Sequence, residues 1–100
     1  MKHILLVCNA GMSTTMLVKK MQDAATADNI DVEIEAKSLT EAKRDLSGVD
    51  CILIGPQIRY ELNNVKAVAG DIPVDAINMQ DYGMMNGKKV LATALKMMGE

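Results

Sequence analysis

A cysteine followed directly by small and hydroxyl-bearing residues is the first feature of this sequence that could do chemistry. Cys8 ends a short apolar run, and the seven residues behind it include one glycine, one serine and two threonines at the start of a predicted helix. Successive backbone N–H groups that enter a helix, together with the positive end of the helix dipole, favour an anion such as phosphate. The same field favours the thiolate, which is the nucleophilic form of cysteine. Cys8 is therefore predicted to hold phosphate covalently, and the predicted phosphate-binding residues are Asn9, Ala10, Gly11, Met12, Ser13, Thr14 and Thr15.

The elements around this segment decide whether it is a ligand site or an ordinary turn after a buried cysteine. Strands are predicted at 3–8, 31–36, 50–55 and 72–77, and helices at 13–28, 40–46, 57–69 and after Gly87. Ser13 is the predicted N-cap of the first helix, and Asn29 is predicted to end it in the left-handed conformation. The alternation predicts an α/β fold: residues 1–100 form a single domain with one open four-stranded parallel sheet and helices on both faces.

The strand order follows from which strands must be covered on both faces. The first and third predicted strands are continuous apolar runs, which are typical of central parallel strands. The second alternates apolar and acidic residues and the fourth contains Pro73, so both suit the sheet edges. The resulting order is 2-1-3-4, and ligands of such sheets bind beyond the carboxyl ends of the strands where the order reverses. That crevice lies between Cys8 and residues 55–57, so Gln57 is predicted to lie beside the phosphate loop, as is Tyr82 from a later segment.

The other residues that could do chemistry are predicted to be structural. Cys51 lies near the start of its strand, on the order of 10 Å from Cys8, which is too far for a disulfide. It is predicted to be a small core residue. His3 begins the first strand, remote from the crevice. No cluster of His, Cys, Asp and Glu has the spacing of metal ligands, so the sequence predicts no metal and no other cofactor.

Charge and hydropathy exclude several classes of protein. The chain has 100 residues, of which 11 are basic and 13 acidic, and its net charge of −2 includes no basic block. A nucleic acid or an anionic membrane surface is therefore not the predicted main partner. The sequence lacks the run of about eighteen apolar residues that a membrane helix needs, and its N-terminus lacks the pattern of a signal peptide. With unpaired thiols, these features favour the cytosol.

A low-molecular-weight cysteine phosphatase is one alternative for such a loop. Those enzymes carry a cysteine, five residues, and then an arginine followed by Ser or Thr. Here Thr14 stands where that arginine would be, so the group that stabilises the transferring phosphoryl is missing. The acid loop of the phosphatases has only a partial counterpart in Asp81-Tyr82-Gly83, which lacks the proline. These departures favour a site that carries phosphate over one that releases it to water.

Three segments, ILLVCNAGMSTTMLVKKM, DCILIGPQIRYEL and DYGMMNGKKVLATAL, carry a resemblance that covers essentially the whole chain. The chain resembles the enzyme IIB components of the bacterial sugar phosphotransferase system, in the lactose, cellobiose and chitobiose class. The resemblance implies a phosphatase-like four-stranded fold, a phosphocysteine at Cys8 and a phosphate loop at Asn9–Thr15. The family more often has Ser at positions 9 and 15, and both exchanges keep the backbone donors.

The same resemblance implies partners and an activity. A IIA protein would supply the phosphoryl group from a histidine, and a membrane IIC protein would admit the sugar that receives it. The chain would thus be a component of a protein-phosphohistidine–sugar phosphotransferase, working as a monomer in the cytosol and transiently at the inner face of the membrane through IIC.

A non-catalytic phosphate-binding module stays open as a further alternative, with Cys8 an inert neighbour of the bound anion. A flavin-binding module is disfavoured because the chain has two aromatic residues, Tyr60 and Tyr82. A response-regulator receiver is disfavoured because Asp50 begins a strand and does not end one. Three methionines lie close to these features in the sequence: Met12 in the segment after Cys8, and Met84 and Met85 after Tyr82. They are predicted either to fill the core or to form an adaptable apolar rim around the thiol.

Overall fold

The computed structural model describes residues 1–8 and 11–99, with residues 11–13 given by their backbone only. Its elements are, in chain order, β1 (Lys2–Cys8), α1 (Gly11–Ala27), β2 (Val32–Ser38), α2 (Leu39–Arg44), β3 (Cys51–Ile54), a 3-10 helix (Pro56–Glu61), α3 (Leu62–Ala69), β4 (Val74–Ala76), α4 (Met79–Gly83) and α5 (Gly87–Met97).

The four strands form one parallel sheet in the order β2-β1-β3-β4, which confirms the predicted order. The central runs Ile4–Val7 and Cys51–Ile54 are fully buried, as expected for strands covered on both faces. Ile4 pairs with Cys51 at the start of the ladder, whereas Cys8 lies at its far end. This offset keeps the two cysteines apart, and they form no disulfide with each other.

Helices cover both faces of the sheet, also as predicted. Leu17 and Met21 of α1 pack with Val90 and Leu91 of α5 on the face that carries Ile4. On the other face, α2 and α3 contribute Ala42 and Val65, which pack with Leu5 and Val7.

The edge strand β2 extends two residues beyond its predicted end. Val32 and Ile34 are buried while Glu33 is exposed, so the predicted alternation is confirmed. The strand continues to Ser38, which pairs with Cys8 and also caps α2. Ser38 and Glu41 form a reciprocal capping box, and the Ser-x-x-Glu spacing that specifies it is readable in the sequence.

Helix α1 begins earlier than predicted, so the assignment of Ser13 as its N-cap is wrong. The backbone is already helical at Gly11, which places Ser13 inside the first turn. Serine is favoured at N-caps but is also accepted within a helix, and this helix begins two residues before Ser13. The predicted end is confirmed, because Asn29 has a φ of 56° and Ile30 N donates to Ala25 O at 2.8 Å, as in a Schellman motif.

The third helical segment departs from a regular α-helix. Pro56–Glu61 is a 3-10 helix in which Ile58 has non-helical backbone angles (φ −118°, ψ 28°), and the α-helix begins only at Leu62. The backbone bends at Ile58, and the bend places the Ile58 side chain in the α2–α3 face of the core. The five-residue α4 was not predicted as a helix; its N-cap Asn78 accepts hydrogen bonds from the N–H groups of Gln80 and Asp81.

Helices α1 and α5 approach so closely that only glycine fits at the contact. A Cβ atom on Gly87 would lie 2.5 Å from the carbonyl carbon of Lys20 and 2.6 Å from the nitrogen of Met21. Since these are backbone atoms, the contact fixes how closely α5 packs against α1.

Candidate functional site

Cys8 lies at the carboxyl end of β1, where its side chain is 6% exposed at the wall of a cavity of about 230 Å³. The cavity is bounded by the first turn of α1 and by the junction of β2 with α2. Its described lining residues are Cys8, Thr14, Thr15, Ala36, Lys37, Ser38 and Glu41. The structure therefore brings Cys8 together with Thr14 and Thr15, two of the predicted phosphate-binding residues.

The cavity opens on the β2 side of Cys8, whereas the strand order predicted a crevice on the β3 side. The reason is the extra length of β2, which carries Lys37 and Ser38 as far as the end of β1. Ser38, Lys37 and Glu41 were not predicted as site residues. Two of them, Ser38 and Glu41, could have been predicted from the Ser-x-x-Glu spacing of the capping box, together with a longer second strand.

The hydroxyl of Thr14 contacts that of Tyr82. Thr14 is 1% exposed and its Oγ1 lies 3.4 Å from the hydroxyl of Tyr82, which is itself buried in α4. This contact spans 68 positions in sequence and joins the start of α1 to α4. Tyr82 thus reaches the cavity wall through Thr14, while its ring belongs to the core that α1 and α5 cover.

Gln57 lies on the opposite side of Cys8 from the cavity, next to Gly55. A methyl group on Gly55 would lie 2.9 Å from Gln57 Oε1 and 3.9 Å from Cys8 Sγ, so both groups flank this glycine. Gln57 also lines a second, mainly apolar cavity of about 360 Å³ with Pro56, Met79, Tyr82 and Gly83. The predicted neighbours of the loop, Gln57 and Tyr82, therefore share one apolar recess on the β3 side.

The methionines near α4 differ in their surroundings. Met79 and Met84 are 73% and 68% exposed, and Met79 lines the recess. Met85, in contrast, is partly buried against the α1–α5 face of the core, so of the two predicted alternatives it fills the core. Its positive φ of 53° turns the chain at the end of α4 and directs the side chain inward.

Two charged residues are among those that line the cavity. Among the described lining residues, Lys37 is the cation and Glu41 the anion. The Lys37 Nζ atom is 4.0 Å from Glu35 Oε1, and its side chain is 27% exposed. Lys37 is the partner of Val7 in the register of β1 and β2, so its side chain projects to the face of the sheet opposite that of Cys8 and Ser38.

The remaining residues considered from the sequence lie away from the cavity. Asp81 is buried and its Oδ1 lies 3.7 Å from Lys89 Nζ, so its carboxylate is directed at α5. His3 Nε2 lies 3.1 Å from Glu35 Oε2 near the amino end of β1. Cys51 is completely buried, and burial raises the pKa of its thiol to about 12, with the charges of Asp50 and Asp75 adding to the effect. Cys51 is therefore a core residue, as predicted.

Part of the predicted loop cannot be placed. Asn9 and Ala10 lie outside the described residues, and Gly11, Met12 and Ser13 are described by their backbone alone. In the part of the chain that is described, no helix is both long enough and apolar enough to cross a bilayer. Among those same residues, no three His, Cys, Asp or Glu side chains are grouped as metal ligands would be.

The fold is an α/β fold with a parallel 2-1-3-4 sheet, and a cysteine at the end of its first strand faces a cavity lined in part by hydroxyl groups. The particular family is shown by sequence. Residues 3–93 match the family described as PTS system, Lactose/Cellobiose specific IIB subunit, and the chain belongs to that family. It is thus a component of a sugar phosphotransferase system.

Relatives with specified sugars agree with this assignment. The chain is 47% identical to the galactose-specific EIIB component of Lactococcus lactis subsp. cremoris, over 97% of this chain and 96% of the relative. It is also 47% identical to a cellobiose-specific EIIB component of Lactococcus lactis subsp. lactis, with the same coverage. Identity to the oligo-beta-mannoside-specific EIIB component of Bacillus subtilis is 41%, over 98% and 97% of the two chains.

Solved structures share the fold. The solution structure of the cellobiose-specific IIB component from Borrelia burgdorferi superposes with a TM-score of 0.81 at 39% identity, covering 98% of this chain and 92% of that one. The lactose-specific IIB domain from Streptococcus pneumoniae superposes with a TM-score of 0.85 over 95% of both chains. At 18% identity, the second likeness concerns the fold alone.

Proposed function

We propose that Cys8 is the phosphoryl carrier of a IIB subunit, accepting a phosphoryl group from a histidine of a IIA partner and passing it to a sugar admitted by a membrane IIC partner. The observation that carries this proposal is the place of Cys8 at the end of β1, facing a cavity lined by the threonines of α1. A cavity of about 230 Å³ has room for a phosphoryl group and several waters, each of which occupies roughly 30 Å³ in the liquid.

The transfer consists of two displacements at phosphorus. The Cys8 thiolate attacks the phosphoryl group of phosphohistidine, the new S–P bond forms as the N–P bond breaks, and the imidazole nitrogen leaves with the electron pair. A sugar hydroxyl then attacks the same phosphorus, the S–P bond breaks, and the hydroxyl proton passes to a base or to water. Cys8 is regenerated as a thiolate, so the carrier is unchanged after each cycle.

The cavity wall favours carriage over hydrolysis. Thr14 replaces the arginine that phosphatases use, and its hydroxyl contacts Tyr82. The one carboxylate with a phosphatase-like sequence context, Asp81, is engaged by Lys89. Without a guanidinium and without an acid aimed at the leaving group, attack by water on the thiophosphate has little assistance.

The sugar is proposed to be a galactoside or a β-linked disaccharide, because the named relatives are specific for galactose, cellobiose and oligo-beta-mannosides. The carrier is proposed to work as a monomer in the cytosol and at the inner face of the membrane when it meets IIC.

Intact-mass measurement after mixing with a phosphorylated IIA protein tests the proposal. The wild-type protein should gain the mass of one phosphoryl group, and the adduct should be lost when membranes containing IIC and the correct sugar are added. Cys8→Ser should fold and accept no phosphate, whereas Cys51→Ala should accept it normally. Labelling of Cys8→Ser at the wild-type rate would overturn the assignment of Cys8.

A further inference from the structure

Ser38 stands beside Cys8 at the end of the neighbouring strand. The two residues are partners in the parallel register of β1 and β2, and partners in such a ladder project their side chains to the same face of the sheet. Both line the cavity that the phosphoryl group would occupy. We propose that the Ser38 hydroxyl is a catalytic contact to the phosphoryl group on Cys8, and that Glu41 positions this hydroxyl; the proposal rests on the function proposed above.

The Ser38 hydroxyl can turn from one hydrogen-bond acceptor to another. Its Oγ accepts from Glu41 N at 3.2 Å and donates to Glu41 Oε1 at 3.0 Å. A hydroxyl has one proton and two lone pairs, so rotation about the C–O bond can redirect the proton while the bond from Glu41 N remains. Ser38 can therefore donate to a phosphoryl oxygen without giving up its role as the N-cap of α2.

Glu41 does not lose both of its contacts when the proton is redirected. The backbone N–H of Ser38 donates to the same Glu41 Oε1 at 3.4 Å, and this bond is independent of the hydroxyl rotor. The carboxylate thus stays close to Ser38, at the wall of the same cavity.

Because the Ser38 hydroxyl exchanges one acceptor for another, the phosphoryl group is bound only weakly. In the unloaded protein the hydroxyl already donates to a charged acceptor, so the bond to phosphate replaces a bond of the same charge-assisted kind. The Glu41 carboxylate also repels the incoming dianion, and its exposure to solvent keeps this repulsion modest. A site that gains little binding free energy when the phosphoryl group is loaded suits a carrier that must pass this group on.

The test uses variants that separate the hydroxyl from the cap. Ser38→Gly removes the hydroxyl while glycine remains an acceptable N-cap, Ser38→Thr keeps both, and Ser38→Ala removes both. Glu41→Gln keeps an oxygen acceptor for Ser38 but removes the charge. Far-ultraviolet circular dichroism of each variant establishes that it is folded.

The first readout is the concentration of inorganic phosphate that halves the rate of Cys8 alkylation by iodoacetamide, a measurement that needs no partner protein. Ser38→Gly and Ser38→Ala should need about two- to threefold more phosphate than wild type, a small factor because the bond to phosphate replaces the bond to Glu41 and only the net difference is lost. Ser38→Thr should match wild type, and Glu41→Gln should need less phosphate, with the difference shrinking at high salt. Equal protection of wild type and Ser38→Gly, or no protection of either, would overturn the contact.

The second readout is phosphorylation by a phosphorylated IIA protein, which separates the two proposals. Slower loading of Ser38→Gly with normal loading of Ser38→Thr supports a contact to the transferring group. Normal loading of wild type and of Ser38→Gly overturns the inference about Ser38 and leaves the carrier function standing. Failure of wild type to load at all overturns the carrier function, whatever the alkylation result.

Discussion

The hydroxyl groups of Thr14 and Tyr82 meet at 3.4 Å in the protein interior and connect the first turn of α1 to α4. Both residues are buried, so each hydroxyl is the other's partner in a region from which water is largely excluded. Since Thr14 lines the cavity at Cys8 and Tyr82 lines the apolar recess beside Gln57, this one contact couples the two concavities that flank the thiol.

A double-mutant cycle with Tyr82→Phe and Thr14→Val should measure that coupling. Each single variant leaves a buried hydroxyl without its partner and should lose about 0.5–1.5 kcal/mol of unfolding free energy. The double variant should lose less than the sum, with a coupling near 0.5 kcal/mol because 3.4 Å is long for such a bond. Urea denaturation of all four proteins provides the values. Strict additivity would mean that the two hydroxyls act independently.

The protein should be a poor phosphatase. Thr14 cannot provide the two parallel hydrogen bonds of a guanidinium, and Asp81 is turned toward Lys89. Hydrolysis of p-nitrophenyl phosphate should therefore be far slower than the turnover of a typical enzyme, which is on the order of 10 per second. Cys8→Ser, which lacks the nucleophile, is the blank. Turnover at the typical rate, abolished by Cys8→Ser, would refute the carrier function.

Gly87→Ala should destabilise the fold by about 1–3 kcal/mol, because its methyl group would overlap backbone atoms of Lys20 and Met21 that cannot move independently of α1. Gly83→Ala is the matched control: nothing lies within 4 Å of its added methyl, and it should be neutral or slightly stabilising. The midpoint of urea unfolding distinguishes the two. A Gly87→Ala midpoint equal to that of wild type would show that α1 and α5 can separate without cost.

The buried thiol of Cys51 should make stability fall at alkaline pH. Its pKa is raised by burial from 9.0 to about 12, so the folded protein keeps a proton that the unfolded chain loses. The contribution is fully present below pH 9.0 and declines as the pH rises toward 12, with a slope of up to about 1.4 kcal/mol per pH unit.

Cys51→Ala is the comparison for this effect. It should lose about 1 kcal/mol at neutral pH through a small cavity, and then recover relative to wild type as the pH rises. Denaturation at pH 9.0 and about one unit higher is sufficient to see the change. Parallel curves for the two proteins would exclude Cys51 as the titrating group.

The sheet was predictable because its signals are local and redundant. The continuous apolar runs Ile4–Val7 and Cys51–Ile54 identify the central strands, and the alternation from Val32 identifies an edge. Asn29 was recognised as the end of α1 because few residues other than glycine accept its backbone conformation.

What could not be predicted depends on contacts between distant segments. The polar residues Lys37 and Ser38 continue β2 only because β1 offers Val7 and Cys8 as partners, and this extension moves the cavity to the β2 side. A helix of five residues such as α4 has too few turns for apolar periodicity, so it was missed. Met85 comes directly after the end of that helix, where the chain turns and its side chain packs against the core. The phosphate-binding roles of Asn9 to Thr15 stay predictions.

The outer edge of β2 has a consequence for how the protein behaves when it is concentrated. In the sheet described here, β2 has a neighbour on one side only, so its other side is an open edge to which a strand from another copy could pair. Glu33, Glu35 and Lys37 alternate along this edge, and the exposed Glu33 would have to be crowded and dehydrated if a second strand docked. Such charges oppose the edge-to-edge addition of strands by which a fibril grows. Neutral β-branched residues at positions 33 and 35 would remove that protection, and seeding of thioflavin-positive aggregates should then begin at this strand.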